Sequence, residues 1–224
     1  MFQDKVIVIT GGANGIGKCI AEEFKKQGAH VCVIDCAEGD HYVGDIADKA
    51  TLEDFARTVT QKYGKVDVLV NNAGGGLSIK PIEEQSEEMI DAILRLNLNS
   101  VMYAANVFVP DMKKRHSGTI INISSVCATH AWADWSVYAA AKAGVLNFTK
   151  GLQVELQPHG VRATCIIPAS ASTGFQAASG IGETQDSLQC EDIAGAVYYA
   201  ATLPERAIVE EMTVWGMSQT VQPL

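Results

Sequence analysis

Tyr138 and Lys142 stand four residues apart in the alanine-rich run Ser136-Val-Tyr-Ala-Ala-Ala-Lys142, and such a run is helical by propensity. Side chains at that spacing leave one helix face about one turn from each other, so the phenol and the ammonium are neighbours. A free tyrosine titrates near roughly 10 and is a poor proton donor or acceptor at neutral pH; a fixed ammonium beside it favours the phenolate and draws it towards working range. Ser125 lies upstream, at the end of the apolar run Thr119-Ile-Ile-Asn-Ile-Ser124, which reads as a buried strand. Its hydroxyl therefore falls at a strand's C-terminal end, where open parallel sheets hold their ligands. Taken alone, a Tyr and a Lys at this spacing are more often a packed ring and a solvated amine, so the weight rests on what the rest of the chain builds around them.

The chain opens with a short apolar strand, Lys5 to Ile9, then Thr10-Gly-Gly-Ala-Asn-Gly-Ile-Gly17, after which Ile16, Ile20 and Phe24 recur at helical period. Strand, glycine turn and helix make a phosphate-binding arrangement: glycines let the backbone approach a pyrophosphate, and the helix N-terminus offers unpaired N–H groups and the positive end of its dipole. Gly11, Asn14, Gly15, Ile16 and Gly17 are the candidate contacts, spaced G-x-x-x-G-x-G. Val31 to Asp35 is the second strand, and it ends in a carboxylate. At that place in a dinucleotide fold an acidic side chain accepts from the adenosine ribose hydroxyls and repels a 2′-phosphate, which favours NAD over NADP. No Arg or Lys occupies the glycine turn or the two positions after Asp35 to offset that repulsion.

His41 to Gly44 reads as a short third strand, with Asp45 and Ile46 within reach of an adenine edge, and Thr51 to Tyr63 as a helix. Asn71-Asn-Ala-Gly74 follows the fourth strand, Val66 to Val70. There an amide can brace a turn and the backbone of Ala73 and Gly74 can pack on the cofactor; the plain alternative is an Asn-Gly turn. One long helical stretch, about 83–116, contains Asn97 among apolar neighbours. A buried amide needs partners, so Asn97 either stabilises a kink through the backbone or joins a polar relay. Gly118 to Ile123 is the fifth strand, Val137 to Leu156 the helix carrying Tyr138 and Lys142, and Val161 to Ile167 the sixth strand, ended by Pro168. Small and polar residues over 169–189 read as a flexible lid, followed by a last helix from Glu191 to Leu203 and a last strand from Glu210 to Trp215.

With 224 residues, 47% of them hydrophobic, the chain suits one α/β domain over 1–224. Lys and Arg total 17 against 26 Asp and Glu, and the basic residues are scattered, which argues against a nucleic-acid partner. No run approaches the roughly 18 apolar residues of a membrane span. Together with a first strand too short for a signal sequence, this leads to an expectation of a cytoplasmic protein with no membrane partner. Cys19, Cys32, Cys36, Cys127, Cys165 and Cys190 form no C-x-x-C pair and read as buried reduced thiols. No His/Cys/Asp cluster has metal-ligand spacing, so no metal is expected. Val126, Cys127, His130, Trp132 and Trp135, between Ser125 and Tyr138, read as the walls of an apolar pocket.

Thr10-Gly-x-x-x-Gly-x-Gly17, Asn71-Asn-Ala-Gly74, Asn97, Ser125 and Tyr138-x-x-x-Lys142 together resemble the short-chain dehydrogenase/reductase family, from about Lys5 to Trp215. The resemblance implies a Rossmann-like, doubly wound, mostly parallel seven-stranded sheet and an enzyme that moves a hydride between a nicotinamide cofactor and a secondary alcohol or ketone. By motif position, Tyr138 would be the acid/base, Ser125 would hold the substrate oxygen, Lys142 would bind the nicotinamide ribose and tune Tyr138, and Asn97 would support a water relay. Pro168-Ala169 stands where the family commonly has Pro-Gly, with Thr173 still placed to contact the carboxamide, and the tail lacks the usual Asp-Gly-Gly ending. The family also implies a homodimer or homotetramer. Two other functions stay open on this reading: a dinucleotide-binding regulator without turnover, and a lyase or epimerase that retains its cofactor.

Overall fold

Runs that are apolar at every position, such as Val6-Ile-Val-Ile9, must be covered on both faces, and that demand shapes the whole molecule. A computed structural model describes residues 2–175 and 188–219. Its strands are β1 (Val6–Thr10), β2 (His30–Asp35), β3 (Tyr42–Val43), β4 (Val68–Asn71), β5 (Gly118–Ile123), β6 (Val161–Pro168) and β7 (Glu211–Val214). They form one sheet in the order β3-β2-β1-β4-β5-β6-β7, with every ladder parallel. The expected Rossmann-like fold is present, and where a mostly parallel sheet was anticipated the described residues make a fully parallel one.

Alternate residues of the strands feed two cores. Ile7, Ile9, Val68, Val70, Ile121 and Ile123 pack under α1 (Gly15–Lys26) and the last helix, α6 (Cys190–Thr202). Val6, Val8, Leu69 and Ile120 face α2 (Lys49–Tyr63), α4 (Ser100–Arg115) and α5 (Ser136–Leu156). This is the doubly wound arrangement, and it reverses direction between β1 and β4, where neighbouring strand ends leave a crevice for a ligand. The glycine turn, Asp35, Asn71 to Gly74 and Ser125 all follow or end strands on that C-terminal edge.

The single helix expected over about 83–116 is instead four segments. A 3₁₀ turn (Ile82–Glu84) gives way to α3 (Glu87–Leu94), whose first turn is capped by the Ser86 hydroxyl accepting from Met89 N–H at 3.2 Å. A π-helical turn (Arg95–Asn99) then joins α3 to α4. The cysteine expectation also needs correction. The sulfurs of Cys19 on α1 and Cys190 at the start of α6 are bonded, with Cα atoms 6.0 Å apart, so this pair is not two reduced thiols. Only tertiary packing brings together residues 171 positions apart, and no local spacing announces it. Of the other four, Cys165 is buried and Cys36 is exposed. The carboxylate of Glu191 lies within 4.8 Å of both bonded sulfurs. Among the described residues no helix is long and apolar enough to cross a membrane.

Candidate active site

The glycine turn is built by exclusion. Gly11 has φ +66°, and a Cβ there would strike the backbone of Ala73. A Cβ on Gly17 would fall on the Gly11 carbonyl and the Asn72 amide, so α1 can begin only where both positions lack side chains. Asn72 ties the turn to β4, its Nδ2 donating to Gly11 O at 2.8 Å and Thr10 O at 3.2 Å. The Thr10 hydroxyl in turn accepts from the N–H groups of Asn72 and Ala73, both at 3.1 Å. At the start of α1, Asn14 makes no side-chain cap and no acidic residue occupies the first turn. The donors at that positive helix end are thus left for an anion.

Asp35 ends β2 with one carboxylate oxygen accepting from Ala13 N–H in the glycine turn and the other from Ala37 N–H, each at 3.0 Å. The carboxylate is fixed beside the turn, as a ribose-binding group must be. Across the turn, a side chain at Gly15 would come 3.6 Å from Thr173 Cβ. The stretch after Pro168 therefore closes over the helix N-terminus that Gly15 opens. Pro168 itself is buried and paired with Val214 at the end of β6. Cradle, carboxylate and opposing threonine fit a dinucleotide laid along this edge.

Asn97 is fully buried at the π-helical turn. Its Nδ2 donates to Ile93 O (3.0 Å) and Gly75 O (2.9 Å), and its Oδ1 accepts from Gly75 N–H at 3.0 Å. Of the two uses open to a buried amide, the geometry displays the kink-stabilising one: the side chain takes the Ile93 carbonyl and clamps the loop after β4. A Cβ on Gly74 would meet both Asn97 Oδ1 and Lys142 Nζ, which puts the clamp against the lysine.

Ser125, Tyr138 and Lys142 come together. Ser125 follows β5 and caps a 3₁₀ turn (Val126–Ala128), its Oγ accepting from Cys127 N–H at 3.2 Å. The same hydroxyl favours the ionised form of the Tyr138 phenol. Lys142, one turn along α5, is 3% exposed; its Nζ donates to Ile123 O at 3.0 Å and lies 5.7 Å from the Tyr138 ring centre. The electrostatics differ from the expected depressed phenol. Burial pushes Tyr138 well above the ordinary tyrosine range, the Cys127 thiol adds to the rise, and Ser125 opposes it. Burial also pushes Lys142 down to about 8, against the facing thiols of Cys165 and Cys127. In the protein alone desolvation wins at both groups, because the lysine points at a carbonyl rather than at the phenolic oxygen.

Other expected site residues are placed differently. The side chain of Ile46 is spent in the core, while Asp45 is exposed and caps its own turn with one carboxylate oxygen, which accepts from Ala47 N–H at 2.8 Å. Asn71 is 2% exposed and turned inward, donating to Asn122 Oδ1 at 2.8 Å, while Asn122 donates to Thr149. The bracing amide is Asn72; strand alternation carries it, since inward Asn71 leaves the next residue on the turn. The expected pocket walls also divide. Cys127 and Trp135 pack at Tyr138, whereas Val126 and Trp132 join the core under α6, and His130 lies tilted against Trp132 and edge-on to Trp215. Phe175, a lone aromatic among small residues, completes the tyrosine's surroundings and was not singled out by sequence. Most of the anticipated lid, residues 176–187, lies outside the described residues.

The sequence pattern described as short chain dehydrogenase matches residues 5–183. An uncharacterized oxidoreductase of Staphylococcus saprophyticus is 33% identical over 230 residues, covering 95% of this chain and 97% of that protein. Among solved structures, the closed form of serine dehydrogenase complexed with NADP+ superposes with a TM-score of 0.88 at 28% identity, over 98% of both chains. The 3-ketoacyl-(acyl-carrier-protein) reductase of Brucella melitensis complexed with NADH does so with a TM-score of 0.88 at 26% identity, over 97% of this chain and 99% of that one.

Proposed function

The chain is an oxidoreductase of the short-chain dehydrogenase family, which uses nicotinamide dinucleotides, and from that premise we propose an NAD-preferring enzyme that interconverts a secondary alcohol and its ketone. The observation that carries this is the meeting of Ser125, Tyr138 and Lys142 at the C-terminal end of β5, on the edge where the glycine turn and Asp35 form their cradle. A bound nicotinamide supplies or accepts the hydride.

The chain's own residues do the rest. Ser125 donates to the substrate oxygen and holds it beside the phenol, stabilising charge as it develops there. Tyr138 takes the hydroxyl proton during oxidation and returns it during reduction. Lys142 holds the ribose hydroxyls, and its ammonium lowers the phenol once the site is filled, offsetting the burial that raises it in the protein alone. Asn97 positions the loop of Gly74 and Gly75 against Lys142. Gly11, Asn14, Gly15, Ile16, Gly17, Ala73, Pro168 and Thr173 line the dinucleotide, chiefly through backbone, and Asp35 takes the adenosine ribose. Its carboxylate supports the NAD preference, because a 2′-phosphate would meet a like charge with no lysine or arginine at the next two positions.

We infer further that the chain works as one dinucleotide-binding and catalytic domain, at least dimeric and cytoplasmic, with neither nucleic acid nor membrane as partner. The test is a screen of secondary alcohols with NAD+, followed by nicotinamide absorbance. Net NADH formation supports the reading. Turnover with cofactor retained and no net change in absorbance would replace it with an epimerase or lyase.

A further inference from the structure

Tyr138, the group that must meet the substrate, is only 7% exposed, and aromatic rings are what cover it. Trp135 stands edge-on to the phenol ring at 5.5 Å, Phe175 is tilted against it at 5.6 Å, and Trp135 and Phe175 lie nearly parallel to each other, 13° apart with centres at 6.2 Å. The three rings come from separate places in the chain: the turn before α5, α5 itself, and the segment after β6. Ile79, Met89, Ile90 and Cys127 fill in around them from the loop after β4, from α3 and from the 3₁₀ turn after β5. Burial raises the neighbouring Cys127 thiol as well, so it stays neutral near pH 7.

Resting on the proposed alcohol–ketone activity, we propose that Trp135 and Phe175 determine specificity, selecting an uncharged substrate whose carbinol or carbonyl carbon bears a flat apolar group such as a phenyl ring. The argument is one of replacement. For an oxygen to reach Tyr138 and Ser125, Phe175 must part from the phenol face, opening a slot walled by Trp135 and Phe175. A flat apolar group fills that slot, lies against both rings and restores the contacts that were given up. A carboxylate or phosphate there is walled by apolar rings and loses its water, which is costly, while the Lys142 ammonium is already engaged with the Ile123 carbonyl. A short aliphatic chain fits but covers less of the rings. Thr173 links this choice to the cofactor side: its hydroxyl accepts from Phe175 N–H at 3.2 Å while its side chain faces Gly15.

The test has a binding arm and a rate arm. Acetophenone is titrated into the full chain and its variants while tryptophan fluorescence is followed. Saturable quenching is expected in the unmutated protein, in Tyr138→Phe and in Ser125→Ala, and its loss in Trp135→Leu, with Trp132 and Trp215 serving as unchanged emitters. In the rate arm, kcat/KM for 1-phenylethanol is divided by that for 2-propanol and by that for 3-hydroxybutyrate. Both ratios exceed one, and both fall roughly tenfold to hundredfold in Phe175→Ala, as expected for losing an apolar ring contact of ordinary worth. Trp135→Phe, which keeps a flat ring, retains most of the ratio and guards against misfolding as the cause. Quenching that does not saturate, a preference for 3-hydroxybutyrate, or ratios unmoved in Phe175→Ala overturns the proposal. Saturable quenching with no oxidation of any alcohol would leave the ring site standing and overturn the activity on which it was built.

Discussion

Replacing Lys142 by Met keeps an unbranched apolar stem in a buried slot and removes the ammonium. Lysine ordinarily titrates near 10.5, and burial brings Lys142 down to about 8 in the folded protein. At about 1.4 kcal/mol per pH unit, holding that charge inside the protein below pH 8 costs roughly 3 kcal/mol of stability. The sign follows from proton counts. Below pH 8 both folded and unfolded chains carry the ammonium and the cost is fully present. Between about 8 and 10.5 the unfolded chain binds the extra proton, so the unmutated protein gains stability as pH rises and the Met variant gains none from this position. The two thiols facing Lys142 do not blur this window much, since Cys165 is pushed up to about 11 and Cys127 is also raised by burial. Met leaves the Ile123 carbonyl without its donor, a loss of about 1–3 kcal/mol that does not vary with pH. The readable quantity is therefore the trend. Urea unfolding without cofactor, at one protein concentration and at pH 7 and 9.5, should show the stability difference, Met variant minus unmutated protein, shrinking by about 2 kcal/mol. A difference that stays flat over that range would mean that Lys142 titrates as an ordinary lysine, and the electrostatic picture of the site would be wrong.

Asp35→Ala should lower the ratio of NAD to NADP efficiency by roughly tenfold or more, because ribose acceptance and phosphate repulsion go together at one carboxylate. The ratio is the measure, since loss of the Ala13 N–H contact also loosens the turn for both cofactors; an unchanged ratio would place cofactor choice elsewhere. Thiol titration of the denatured, unreduced protein should find four thiols, and six after reduction, matching one Cys19–Cys190 bond and the free Cys32, Cys36, Cys127 and Cys165. Six before reduction would count against the bond. Light scattering at micromolar concentration should find at least a dimer, which would cover apolar side chains such as Val154, 71% exposed on α5; a monomer would contradict it.

How much of this was legible beforehand depended on range. The glycine turn, the Asp35 strand end and the Tyr138–Lys142 helix are local patterns, each set by a dozen or so neighbouring residues, and the structure places each on the element expected. The strands were legible because Val- and Ile-rich runs flanked by glycine admit few alternatives. What escaped depended on partners far away in sequence. The π-helical turn arises because Asn97 reaches Gly75 across the loop after β4. Asn71 turns inward because Asn122 waits on β5. Ile46 is claimed by the core under α2, and the Lys142 ammonium is destabilised by packing that no helical wheel displays. Phe175 carried a faint signal, a single large ring in a stretch of Ser, Ala, Thr and Gly, which is worth reading as a contact rather than as part of a loop.

The central claim is that Tyr138 passes the proton, and Tyr138→Phe tests it most directly. The ring and its contacts with Trp135 and Phe175 remain, Ser125 and Lys142 stay in place, and only the phenolic oxygen is lost. NADH affinity, read by fluorescence, should remain within a few-fold of the unmutated protein, since Asp35 and the glycine turn are untouched. Single-turnover oxidation of a secondary alcohol should fall by at least the roughly 10²–10⁴ typical of general acid–base catalysis. If cofactor binds as before and the alcohol is still oxidised at close to the original rate, the proton leaves by another group and this account of the site is wrong.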